Sequence, residues 1–201
     1  MRPKYFYFDL GNVLLYFDHD IAFRRMAKIA GCSHRDMRGA IMDRGLQIEY
    51  ETGHLTGEEF VKQIGKQLQR DLPVDDMLEA AADMFVANAH ILPVMKQVRE
   101  LGLPIGLLSN TCEAHWQWIV ANRYPQADGW FRDIVLSYEV KSMKPDFGIY
   151  AVAEKLAGVD PKDIYFTDDR EENVQAAIDR GWQADVFVNA DRLAARVDSW
   201  R

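Results

Sequence analysis

Four places in the sequence put reactive side chains next to short apolar runs. Asp9 follows Tyr5-Phe6-Tyr7-Phe8. Ser109-Asn110 closes Ile105-Gly106-Leu107-Leu108, and Asp168-Asp169 closes Ile164-Tyr165-Phe166-Thr167. Lys144 stands in Lys-Pro-Asp, just ahead of a further apolar segment. A carboxylate in such a position serves as a nucleophile or as a ligand for a hard cation. A lysine beside it offsets its charge, and a serine or asparagine donates to an anion. Each residue also has an ordinary explanation: Ser109, Asn110 and one of the two aspartates as helix caps, Lys144 as a solvated lysine, Asn173 as a helix-packing amide.

The elements around these residues decide between the two readings. Lys4–Leu10, Pro104–Ser109, Asp133–Ser137, Ile164–Thr167 and Ala184–Val188 read as strands. A helical stripe precedes each of the later four: Ile91, Met95 and Val98; the run 113–121; Phe147, Tyr150, Ala153 and Ala157, closed by Gly158; and Val174, Ala177 and Ile178, ending at Gly181. Strands alternating with helices imply a parallel, doubly wound, Rossmann-like α/β sheet. From Ile21 to about Phe85 no strand is evident, and helical spacing dominates. Thr56 and Glu59 form a capping-box pattern, and Pro73 and Asp75 open a helix that includes Leu78, Ala81, Ala82 and Phe85. The expected organisation is a core of residues 1–16 and 89–201 with a small helical cap, 17–88, inserted after the first strand.

In an open parallel sheet ligands bind beyond the carboxyl ends of the strands, where Asp9, Ser109-Asn110 and Asp168-Asp169 are expected together. Carboxylates so close raise one another's pKa, and a divalent cation resolves the conflict. Such a site suits a cation and an anion at once. The chain is 201 residues long, 48% hydrophobic and 27% charged, as for an ordinary globular protein. Its net charge of −7 argues against nucleic acid as a partner, and no apolar run is long enough to cross a membrane. Cys32 and Cys112 fit no metal or redox pattern, so two free thiols in a cytoplasmic protein are expected. Nothing in the sequence sets an oligomeric state.

Phe8-Asp9-Leu10-Gly11-Asn12-Val13, Leu108-Ser109-Asn110-Thr111, Lys144-Pro145 and Thr167-Asp168-Asp169 resemble, in order and spacing, the four motifs of the haloacid dehalogenase superfamily. The resemblance covers essentially the whole chain. It implies a Mg²⁺-dependent phosphatase of a small phosphorylated metabolite. Asp9 would be the nucleophile, and Ser109, Asn110 and Lys144 would bind the phosphoryl group, with Lys144 also balancing charge. Asp9, the Gly11 carbonyl and Asp169 would hold the metal, with Asp168 and Asn173 supporting them from behind.

Position 11 departs from the pattern. Most phosphatases of that superfamily carry a second aspartate there as general acid and base, a role typically contributing about 10²–10⁴-fold. Glycine keeps the carbonyl and loses the acid. Three explanations compete: an acidic leaving group such as a sugar 1-phosphate; a substitute acid among Asp18, His19 and His54; or a different reaction, as in dehalogenases and phosphonatases, although dehalogenases need no metal. A phosphate-binding protein without turnover is the non-enzymatic alternative. The opening motif resembles that of bacterial α-D-glucose-1-phosphate phosphatases, which share this glycine. Tyr50-Glu51-Thr52-Gly53-His54-Leu55-Thr56 matches their cap loop, so Tyr50, Glu51, Gly53 and His54 are expected to help select the substrate. Lys141 stands where relatives often have glycine.

Overall fold

The computed structural model describes residues 1–201. Seven strands occur in chain order: β1 (Tyr5–Phe8), β2 (Leu15–Phe17), β3 (Phe85–Ala87), β4 (Ile105–Ser109), β5 (Asp133–Leu136), β6 (Ile164–Asp168) and β7 (Gln183–Val186). Five of them form one parallel sheet in the order β5-β4-β1-β6-β7. All five expected strands are present, within a residue or two of their expected ends. β1 is central, and all four of its residues are buried. Its period of two sends Phe6 and Phe8 into one apolar layer and Tyr5 and Tyr7 into the other. The tyrosine hydroxyls donate to Asp133 at 2.6 Å and to the Ala153 carbonyl at 2.8 Å, so neither is stranded in the core.

Five helices leave the sheet after β1: α1 (His19–Ala30), α2 (His34–Met42), α3 (Leu46–Glu51), α4 (Gly57–Leu68) and α5 (Val74–Ala82). Their apolar faces make a core of their own, with Phe23, Met26, Met37, Ile64 and Met77 inside it. Asp18 caps α1 by accepting from the Asp20 amide at 2.8 Å, and Thr56 with Glu59 caps α4 reciprocally. Each such cap typically contributes about 1 kcal/mol.

One expectation fails in this block. Phe85 lies not inside a helix but in β3, which pairs antiparallel with β2 in the register Leu15↔Ala87 and Phe17↔Phe85. α5 ends at Ala82, and a ψ of 64° at the following Asp83 leaves the helical range. The partner of β3 lies some seventy residues upstream, beyond the reach of local periodicity. The two-stranded ribbon is the stalk on which the chain leaves the sheet and returns to it.

The rest of the chain flanks the sheet with α6 (Ile91–Glu100), α7 (Glu113–Ala121), α8 (Ser137–Val140), α9 (Phe147–Ala157), α10 (Glu171–Asp179) and α11 (Ala190–Asp198). α6 and α11 share the Phe6 layer, whereas α9 and α10 share the Tyr7 layer. α8 is a single turn ending at Lys141, which has φ of 54°. That left-handed backbone accounts for a preference for glycine there. Lys141 itself is exposed.

Candidate active site

The carboxyl ends of β1, β4 and β6 lie side by side, because those strands are neighbours in the sheet. Asp9 is held at its strand end by its amide, which donates to the Thr167 carbonyl at 3.0 Å. Lys144 enters from the loop after α8 and is almost fully buried. Its ammonium donates to Asp9 Oδ1 at 2.6 Å, to Asp168 Oδ2 at 2.6 Å and to the Leu108 carbonyl at 2.8 Å, using all three of its protons. Lys144 is thus no solvated surface lysine.

Oxygens of Asp9, Asp168 and Asp169 all lie within 4.8 Å of one another. Burial pushes the Asp9 carboxyl well up from its usual range; Lys144 opposes the rise and the charges of Asp168 and Asp169 add to it. Burial likewise pulls Lys144 down, but Asp168 and Asp9 outweigh it, so the ammonium is held above its ordinary value. Three carboxylates and one lysine leave a net −2 when ionised. That residue set fits a divalent cation with oxygen ligands.

The two adjacent aspartates are bound differently. Asp168 is fully buried and accepts from Lys144, from the Arg170 amide at 2.9 Å and from Asn173 Nδ2 at 3.0 and 3.1 Å. Asp169 is partly open and accepts from Asn12 Nδ2 at 2.9 Å. Asn12 escaped the sequence reading. The available signal was its place after Gly11 at a strand end, where asparagine tolerates the left-handed backbone, here φ 54°.

Ser109 is buried, and its hydroxyl makes only a 3.4 Å contact with the Asn110 carbonyl, leaving it free to donate. Asn110 does otherwise than expected. Its amide donates to the Lys144 carbonyl at 2.8 Å and its oxygen accepts from the Lys144 amide at 2.7 Å. The side chain is therefore spent on bracketing the lysine loop. Neither residue caps α7, whose N-cap is Cys112.

The helical block reaches this site through the turn between α3 and α4. Ser137 Oγ donates to the Glu51 carbonyl at 2.6 Å and accepts from the Thr111 amide at 2.9 Å, pinning the turn to the loop that carries Ser109. Gly53 has φ of 67°, and a Cβ there would lie 2.0 Å from the Tyr138 carbonyl oxygen. Tyr50 is buried among the helices, stacks on Phe60 with centroids 4.6 Å apart and accepts from the Ala114 amide at 3.2 Å. It borders an 840 Å³ groove along α5 and α7 that contains none of the three aspartates. His54 is exposed and pairs with Thr52 Oγ1 at 2.7 Å. Asp18 is exposed and occupied as a cap.

The absent side chain at position 11 has a visible cause. A Cβ on Gly11 would meet Phe17 Cε1 at 2.7 Å. The backbone of Gly11 is not left-handed, so the glycine is there for space and not for conformation.

A profile of haloacid dehalogenase-like hydrolases matches residues 3–181. A D-ribitol-5-phosphate phosphatase of Bacteroides thetaiotaomicron is 27% identical over 185 residues, spanning 88% of this chain and 87% of the relative. An (S)-2-haloacid dehalogenase of Pseudomonas fluorescens is 29% identical over 103 residues, 48% of this chain and 44% of the relative. The solved structure of a B. thetaiotaomicron enzyme in complex with magnesium and inorganic phosphate superimposes with a TM-score of 0.81 at 28% identity, covering 92% of this chain and 93% of that one.

Proposed function

The chain belongs to the haloacid dehalogenase-like hydrolases, and we propose that it is a Mg²⁺-dependent phosphatase of small sugar or polyol phosphates that works through an aspartyl-phosphate on Asp9. The observation that carries this reading is the cluster of three carboxylates, two of them buried on Lys144. A dehalogenase has no use for the metal that such a cluster suits. The phosphatase relative spans nearly the whole chain, whereas the dehalogenase relative spans about half.

Asp9, the Gly11 carbonyl and Asp169 are the residues that would hold Mg²⁺, and when bound it polarises a phosphoryl oxygen. The freer oxygens of Asp169 suit a metal, whereas Asp168 is committed to Lys144 and Asn173. Asp9 attacks phosphorus in line with the leaving oxygen. Lys144 neutralises charge on Asp9 and the phosphoryl group, and the Ser109 hydroxyl donates to a phosphoryl oxygen. A water then attacks the aspartyl-phosphate and releases orthophosphate.

The test is a panel of phosphometabolites assayed with Mg²⁺ and with EDTA. Glucose 1-phosphate represents the substrate implied by the opening motif, and ribitol 5-phosphate that of the relative. Mg²⁺-dependent phosphate release from at least one is expected. Activity confined to 2-haloacids and indifferent to EDTA would replace the phosphatase reading with the dehalogenase one.

A further inference from the structure

Departure of an alkoxide needs a proton, and the Asp9 cluster has none to give. Asp168 is saturated by its donors, Asp169 belongs to the metal, and Phe17 covers the space at Gly11. A donor must come from elsewhere. Glu51 is the last residue of α3. Its carbonyl shares Ser137 Oγ with the Thr111 amide, two residues from Ser109. Its carboxyl accepts from Gln47 Nε2 at 2.6 Å, and that nitrogen lies 3.5 Å from His19 Nε2. The His19 ring meets Phe17 edge-on, with centroids 4.9 Å apart, and Phe17 is the ring over Gly11. Through Gln47 and His19, the Glu51 carboxyl is thus linked to the Phe17 ring, on the side where position 11 offers no acid.

We propose that Glu51, delivered by the helical block, is the proton donor to the leaving oxygen and then the base for the attacking water. The assignment rests on the phosphatase reading above. In the first step the Asp9–phosphorus bond forms, the phosphorus–alkoxide bond breaks, and the Glu51 proton passes to the departing oxygen. In the second, the Glu51 carboxylate takes a proton from water as the water oxygen bonds to phosphorus. The Asp9–phosphorus bond then breaks, orthophosphate leaves and the acid is restored.

The surroundings suit both protonation states. Burial raises the Glu51 pKa, and the Gln47 hydrogen bond and the Arg170 charge hold the rise in check. Gln47 Oε1 is buried without a partner. Rotating that amide by half a turn presents the oxygen to a protonated Glu51, whereas the orientation seen presents Nε2 to the carboxylate. The other titratable groups nearby are His19, held neutral chiefly by burial, Cys112, and the Tyr138–Glu139 pair on α8.

The experiment measures kcat/KM for a series of aryl and alkyl phosphates of rising leaving-group pKa, for wild type and Glu51→Gln. A donor predicts a loss of about 10²–10³-fold for alkyl phosphates, shrinking steadily as the leaving group becomes more acidic. It also predicts loss of the alkaline limb of the wild-type pH profile. Gln47→Leu, which keeps the carboxyl, should move that limb to higher pH by removing a bond that favours the charged form. An equal loss across the series, a change in KM alone, or a limb that Gln47→Leu leaves in place would overturn the assignment while leaving the phosphatase reading intact. Wild-type protein without Mg²⁺-dependent turnover of any member would overturn both.

Discussion

At the scale of single residues, chemistry depends on which atoms remain unspent. Asp9 has one oxygen on Lys144, and its other oxygen has no hydrogen-bond donor in the fold. Asp9→Asn keeps the shape and removes the nucleophile, so turnover should fall by more than about 10⁴-fold, with the melting temperature unchanged or higher because one of three crowded carboxylates is gone. Residual activity near that of wild type, after the folded state is verified by circular dichroism, would reject Asp9 as nucleophile. Gly11→Asp carries a different expectation from the one its sequence context suggests. The new Cβ runs into the Phe17 ring, and overpacking of this kind typically costs about 1–3 kcal/mol. The variant should melt lower and should not gain activity on alkyl phosphates; combining it with Phe17→Ala should recover stability. Chemical denaturation of the single and double variants measures this coupling directly.

At the scale of elements, the contact between the α3–α4 turn and α8 joins the two halves of the site. Gly53→Ala would force a methyl into the Tyr138 carbonyl while demanding a left-handed backbone of alanine. The expected result is a stability loss of about 1–3 kcal/mol together with a raised KM, because the turn that carries Glu51 no longer seats. A normal KM in a destabilised protein would show that the turn contributes to folding alone. α7 offers a second probe. Burial lowers the His115 pKa to about 3, and the neutral ring packs edge-on against Phe85 of the stalk. The unfolded chain takes up a proton near pH 6.5 that the folded protein refuses. Stability linked to His115 is therefore complete above that pH and is lost progressively as pH falls toward 3. Urea melts at pH 7 and pH 5 should show a larger difference for wild type than for His115→Gln.

At the scale of the whole molecule, a metal held by Asp9 and Asp169 would tie β1 to β6, and binding that favours the native state must stabilise it. Mg²⁺ at about 100 times its Kd should add about 2.7 kcal/mol, read as a rise in melting temperature that EDTA reverses and that Asp169→Ala abolishes. A melting temperature insensitive to Mg²⁺ in wild type would remove the metal from the Asp9 cluster. The same scale separates what was legible in the chain from what was not. Sequence alone determined the five strands, their alternation with helices and the residues at the strand ends, because burial imposes local periods and strand-end residues announce themselves by breaking them. It also pointed to Asp9, Ser109, Lys144 and the Asp168-Asp169 pair. Only the tertiary structure decided how those side chains divide their bonds. Asn110 turned to the Lys144 backbone, Tyr50 sank among the helices, Asn12 reached Asp169, and Phe17 filled the space beside Gly11. The β2–β3 stalk and the seat of Glu51 on Ser137 likewise join residues some seventy to ninety positions apart. Local pattern records which residues are buried or exposed along one element. Which distant atom a donor or acceptor meets is set by how whole elements pack, and the chemistry of this site depends on those meetings.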